Sequence, residues 1–164
     1  MTTLPLLIRP ELPDDAQAVE RLHARAFGPG RYARTPYRLR EGVPHRPDLS
    51  FTALVGTFLV GSVRMGPILI GGRAALMLGP LAVDPSFENR GIGSGLMNRS
   101  LDAARAGGEA LVLLVGDAPF YARFGFERVP AGTLMLPGPV DPGRVLWLAL
   151  QDGAKAMRGM VTGG

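Results

Sequence analysis

The sequence predicts a mixed α/β domain organised around one central sheet, and three observations carry that expectation. Apolar strands at 51–55, 57–64 and 74–83 follow one another at intervals too short for a crossover, so they form an antiparallel meander. The last of these leads through a polar loop and alternating glycines into a helical pattern, then into the continuous apolar run 111–115. Strand, helix, strand in that order makes the flanking strands parallel, and the unbroken apolar run marks a strand covered on both faces. Finally, 164 residues with 46% apolar content suffice for one proper core, so residues 1–164 read as a single domain.

Taken in order, residues 4–9 form an opening strand stopped by Pro10, and Pro13-Asp14-Asp15 begins a helix with proline and acids in its first turn. Ala16, Val19, Leu22 and Ala26 recur at helical spacing as its buried face, with His23 beside them. Gly28-Pro29-Gly30 closes that helix, and 31–41 reads as a second, poorer one. Gly71-Gly72 is a hairpin tip, whereas Gly79-Pro80 interrupts a strand. Proline cannot donate to the ladder, so a bulge or lost pairing is expected there. Ile92, Leu96, Met97, Leu101 and Ala104 make a stripe facing the sheet, and Gly107-Gly108 ends the helix. Asp117 caps a short helix through Tyr121, Gly125 supplies its turn, and strands follow at 126–129, 133–136 and 144–150. Residues 151–164 read as a short polar helix and a frayed tail.

Composition narrows the function. The net charge of +4 is nearly all arginine, since Lys155 is the only lysine. A basic balance suits nucleic acid or an anionic small ligand. The arginines are scattered except between Arg31 and Arg46, and no basic-aromatic module accompanies that concentration, so no nucleic-acid partner is expected. No apolar run reaches bilayer length, and MTTLPLLIRP lacks the regions of a signal peptide, which makes the cytoplasm the expected location and membranes an unexpected partner. Without cysteine there is no disulfide, thiolate metal site or acyl-Cys intermediate, and His23 has no companion at ligand spacing, so no metal is expected.

The most informative stretch is 76–101, LMLGPLAVDPSFENRGIGSGLMNRSL. A helix N-terminus leaves its first N–H groups unpaired and carries roughly half a positive charge, which suits phosphate. Gly91 and Gly93 have no Cβ to hold a phosphate away, and Arg90 adds fixed charge. A Walker loop is excluded because no Lys follows the glycines. A dinucleotide fingerprint fits poorly, because residues 85–90 separate the strand from its first glycine, although Asp117 stands where a ribose-binding acid would be sought. The stretch reads as a pyrophosphate cradle.

LAVDPSFENRGIGSGLM resembles the acetyl-coenzyme A motif of the GCN5-related N-acetyltransferases, Q/R-x-x-G-x-G/A after a strand of type L-x-V-x-P, and GDAPFYARFGF resembles that family's late F/Y-x-x-x-G-F segment. Together the two cover about a third of the chain. The resemblance implies a central sheet with a splayed parallel pair and flanking helices, acetyl-CoA as cosubstrate, and transfer to a primary amine, small molecule or peptide, by direct attack. It implies that the backbone of Leu81, Ala82 and Val83 bonds the pantetheine arm, with an N–H near Val83 aimed at the developing oxyanion. Asn89, Arg90, Gly91, Gly93, Ser94 and Gly95 would hold the phosphates, and Tyr121 would be the general acid. It also makes 31–48 one wall of the acceptor site, where the arginines favour an acceptor that carries a carboxylate or phosphate, and it admits a homodimer. Two departures stand out: Glu88 replaces the usual Gln or Arg, and 74–83 lacks the family's frequent glutamate. Deprotonation is thus left open among water, Asp84, His45 and an amine that arrives neutral. The alternative function is a non-catalytic acyl-CoA-binding or regulatory module.

Overall fold

The computed structural model describes residues 5–28 and 35–164. Strands β1 (Leu6–Pro10), β2 (Phe51–Val55), β3 (Phe58–Ile70), β4 (Arg73–Val83), β5 (Leu111–Val115), β8 (Val145–Ala149) and β6 (Glu127–Arg128) lie side by side in the order β1-β2-β3-β4-β5-β8-β6. Helices α1 (Ala16–Phe27), α2 (Thr35–Arg40), α3 (Ile92–Ala106) and α4 (Ala118–Ala122) flank them. Every pairing along that path is antiparallel except β4 with β5. The mixed sheet with β4 and β5 parallel is the architecture expected from the sequence. Among the described residues no helix is long and apolar enough to cross a membrane.

The sheet is covered on both faces. Leu76, Leu78, Val112 and Leu114 pack with the α3 residues Ile92, Leu96, Met97, Leu101 and Ala104. Their strand neighbours Ala75, Met77, Leu111 and Leu113 turn to the opposite face with Trp147 and Val161. Alternation with both sides buried accounts for the unbroken apolar run at 111–115.

Gly79 and Pro80 form the predicted bulge. Leu81 faces Val63 and Leu78 faces Met65, so two residues of β4 stand against the single Arg64. The extra residue resets the alternation. Leu76 and Leu78 face α3 before it, Leu81 and Val83 still do so after it, and Ala82 instead joins Val19, Leu22 and Leu59 beneath α1.

Three expectations need correction. The buried face of α1 is Val19, Leu22 and His23, while Ala16 and Ala26 are exposed, because the helix lies on Leu59 and Ala82 and its alanines flank that contact. The second hairpin is longer than 57–64 allows, since β3 continues to Ile70 and only Gly71-Gly72 turns. The tail is not frayed. Residues Gly159–Gly163 form β9, which pairs Ile68–Ile70 antiparallel and also lies parallel to β7 (Leu134–Met135). Five-residue β2 covers only the first half of β3, and β9 occupies the edge it leaves. The part of 31–41 that precedes Thr35 lies outside the described residues.

Candidate active site

The parallel ladder between β4 and β5 is confined to Leu76 with Val112 and Met77 with Leu113. Past the bulge the two strands part, and a cavity of about 830 Å³ opens, lined by Leu78–Leu81 on one side and by Val115, Gly116, Phe120 and Tyr121 on the other. It continues through Leu81 and Phe120 into a second cavity of about 570 Å³ at the N-terminus of α3.

The edge of β4 that faces this cleft carries free backbone groups. Asp84 N–H donates to Val60 O at 2.7 Å, so Asp84 turns its amide toward β3. Amides alternate between the edges of a strand. Ala82 therefore also addresses β3, opposite Ser62, whereas Leu81 and Val83 present their N–H and C=O to the cleft. Of the three backbone positions expected from the sequence, Leu81 and Val83 have the required direction. Ala82 does not, since its amide belongs to the ladder and its side chain is buried under α1.

At the cradle, Asn89 and Gly91 both take positive φ, 61° and 78°, which turns the chain sharply into α3. Gly91 is the N-cap, and the first intrahelical bond runs from Gly95 N–H to Gly91 O at 3.0 Å. The N–H groups of Ile92, Gly93 and Ser94 are thereby left for a ligand. Glu88, Asn89, Gly91, Gly93 and Ser94 line this cavity. Gly95 does not: its N–H is spent on Gly91, and a Cβ there would stand 2.8 Å from Ile8 Cδ1, so its smallness seats α3 against β1. Arg90 lies over the Phe87 ring at 5.1 Å and is not among the lining residues. The cation that does line the cradle is Arg123, which donates to Ser94 Oγ at 2.6 Å and lies 5.0 Å from the Phe120 ring centroid. Sequence reasoning passed over it; the signal was a lone cation within the aromatic run FYARFGF.

Tyr121 lines the larger cavity. Its ring is held edge-on by Phe120 at 4.9 Å and by Phe126 at 6.0 Å, and the absent Cβ of Gly116 makes room for it. Burial pushes the phenol up to about 12; nearby Arg144 works against that rise and Asp117 adds to it. The hydroxyl keeps its proton at neutral pH. The Asp117 side chain makes no capping bond, and α4 is secured instead by Tyr121 N–H donating to Asp117 O at 3.1 Å.

A third cavity, about 270 Å³, lies on the α1 side of the bulge and meets the cleft at Arg40, Gly79 and Pro80. His45, His23, Glu20, Glu41 and Arg64 are among its walls. Asp84, one of the bases left open by the sequence, is absent from all three cavities: it accepts from Ser86 N–H at 2.9 Å and pairs with Arg25 at 3.2 Å. In the basic segment, Arg46 is held by Asp48 and Glu109, both at 2.8 Å, while Arg40 reaches the cavities. Arg31, Tyr32 and Arg34 lie outside the described residues. Among the described residues no group of His, Asp and Glu is arranged to hold a metal ion.

A strand pair splayed at a bulge, leading to a glycine-rich helix N-terminus, is a recurrent arrangement, and comparison with known proteins identifies it. Residues 49–128 match the model of the acetyltransferase (GNAT) domain. Over 124 residues, 74% of either chain, the sequence is 34% identical to the uncharacterized N-acetyltransferase YhbS of Escherichia coli. The chain belongs to the GNAT family. It is also 33% identical over 129 residues to the uncharacterized N-acetyltransferase YjhQ of Escherichia coli, covering 76% of this chain and 71% of that one. The crystal structure of YhbS in complex with CoA superposes with a TM-score of 0.83 at 28% identity, over all of this chain and 92% of that one. A GNAT acetyltransferase from Brucella melitensis, solved with acetyl-CoA, gives 0.64 at 29% identity, over 90% and 98%.

Proposed function

We propose that this GNAT enzyme moves the acetyl group of acetyl-CoA to a primary amine by direct attack within a ternary complex. The observation that carries the reading is the cleft between β4 and β5, which leads from the amides at the α3 N-terminus, past Leu81 and Phe120 where its two cavities meet, to Tyr121. Its parts suit one extended anionic thioester. The Ile92, Gly93 and Ser94 amides and Arg123 take the pyrophosphate, with Asn89 and Arg90 beside them for the remaining phosphate. Leu81 and Val83 bond the pantetheine arm as an added strand would. Leu81 is the first cleft-facing amide after the bulge and lines the cavity that also holds Tyr121, so it is better placed for the thioester oxygen than Val83, which lies toward the phosphates. Tyr121 supplies the proton to the departing thiolate. The phenol carries its proton at neutral pH, as that role requires. The proposed setting is the cytoplasm.

Thermal unfolding with acetyl-CoA, CoA, NADPH and ATP in parallel tests the reading. At a hundred times its Kd a ligand adds about 2.7 kcal/mol, enough to raise Tm by roughly 5–10 °C in a domain of this size. A rise with acetyl-CoA and CoA alone is expected; a rise confined to NADPH or ATP would overturn the assignment of the cleft.

A further inference from the structure

The cavity beneath α1 contains a charged relay that the reading above does not use. Glu11 lies behind its wall, in contact with the lining residues His45 and Arg64, and only 3% of its side chain is exposed. It accepts from Arg64 through two parallel bonds, Nε to Oε1 and Nη2 to Oε2, both 3.0 Å. It also meets His45 Nε2 at 3.1 Å. Burial alone would raise the Glu11 carboxyl, but the bonds from His45 and Arg64 more than offset it and keep the group ionised. An ionised carboxylate can only accept, so the proton of neutral His45 must sit on Nε2. The lone pair is then on Nδ1, on a ring that is 31% exposed and forms part of the cavity wall.

The backbone holds that ring in place. Arg46 N–H donates to Met65 O at 2.7 Å, and the His45 Cα packs over Gly66, 3.8 Å from where a Cβ would stand. Gly66 faces Met77 across the ladder, two residues before the bulge. The histidine is therefore fixed on the α1 side of the bulge, while Tyr121 lies in the cleft on its other side.

We infer that the acceptor amine enters through this cavity and that His45 Nδ1 is the base that makes it nucleophilic, with Glu11 and Arg64 as positioning residues. The inference rests on the acetyl-transfer reading. An amine arrives as the ammonium, attracted by the Glu20 and Glu41 carboxylates in the same wall. His45 Nδ1 takes one proton, and the neutral amine attacks the thioester carbon, forming the C–N bond. As the C–S bond breaks, the thiolate takes the Tyr121 proton, and the phenolate recovers one from the nitrogen of the intermediate. Imidazolium His45 then releases its proton to solvent, so one ammonium and one thioester give one amide, one thiol and one proton. The charges facing the imidazole are Glu11 just after β1, Glu20 from α1 with His23 beside it, Arg64 from β3, Arg40 at the end of α2 and Glu41 just after it. Glu11 stabilises the imidazolium that forms, and Arg64, bound to the same carboxylate, restrains it.

The test is the pH dependence of acetylation with tyramine, benzylamine and spermidine as acceptors, for the native protein, His45→Gln and Glu11→Gln. Native kcat/KM should rise with pH along a limb that reports the base. In His45→Gln that limb should vanish and kcat at neutral pH should fall about 100-fold or more. The gap should narrow as pH approaches the amine's own pKa. Glu11→Gln, which keeps the shape but removes the charge, should move the limb to lower pH. A cooperative melt and an unchanged Tm rise with acetyl-CoA would show that both variants fold and bind. A His45→Gln enzyme within twofold of native at neutral pH, or one that keeps the limb, overturns the inference. So does a native protein that binds acetyl-CoA yet acetylates none of the three amines. Failure to bind acetyl-CoA would instead sink the underlying reading.

Discussion

One added methyl group at Gly116 interrogates the tyrosine. A Cβ there would run into Tyr121 Cε2, with Cδ2 at 3.0 Å and Leu114 Cδ1 at 3.2 Å. Phe120 and Phe126 bracket the ring, so the direction left to it is toward the cavity it lines. Gly116→Ala must tilt the phenol within its pocket. Overpacking a filled site costs about 1–3 kcal/mol. At roughly 2–4 °C per kcal/mol for a domain of this size, Tm should fall by about 2–12 °C. If the hydroxyl protonates the thiolate, the tilt also lowers kcat, by about tenfold or more, as Tyr121→Phe should. The assay is CoA release followed with a thiol reagent for Gly116→Ala, Tyr121→Phe and the double variant. Both single changes act on the same hydroxyl, so the double variant should lose no more kcat than Tyr121→Phe alone. Losses that multiply would mean that Gly116 acts through something other than the hydroxyl, and a Tyr121→Phe enzyme with native kcat would refute the acid.

Other expectations follow from the same geometry. Arg123→Ala removes the cation bonded to Ser94 and should raise the KM for acetyl-CoA about tenfold or more with kcat largely spared, whereas Arg90→Ala, whose guanidinium stacks on Phe87, should raise it less. Val161→Ala, at a fully buried position of β9, should cost about 1.5–3 kcal/mol and lower Tm by roughly 3–12 °C; a frayed tail would tolerate it unchanged. Acid should destabilise the fold. Arg9 and Arg46 hold Asp15 and Asp48 below the usual carboxylate range, and His45 and Arg64 do the same for Glu11 against its burial. A depressed folded-state pKa contributes stability that is fully present above the unfolded value and lost as pH falls through the folded one. Tm should therefore hold above about pH 4.5 and drop progressively below it, as a pH series of melting curves would record.

The sequence by itself determined the strand succession around the cleft, the bulge and the glycine-rich start of α3, because each is written locally. Period-two and period-3.6 patterns specify which face is apolar, proline removes a ladder donor wherever it stands, and a glycine-rich turn before a helix offers amides whatever surrounds it. Other features depend on residues far apart in the chain. The bulge was legible, but which amides point into the cleft was decided by the register against β3, which directs Leu81 and Val83 outward and Ala82 inward. Gly95 looks like a cradle residue in one dimension, but Ile8 engages it in three, and Phe87 holds Arg90 to the side of the cavity. The polar tail reads as frayed until the short β2 leaves half of β3 open to receive it. Glu11, His45 and Arg64 show no spacing that would associate them, for they come from just after β1, the segment after α2 and β3. Only the folding of those elements beneath α1 brings a buried carboxylate, an arginine and an imidazole within hydrogen-bond distance, and burial is what makes their pairing strong.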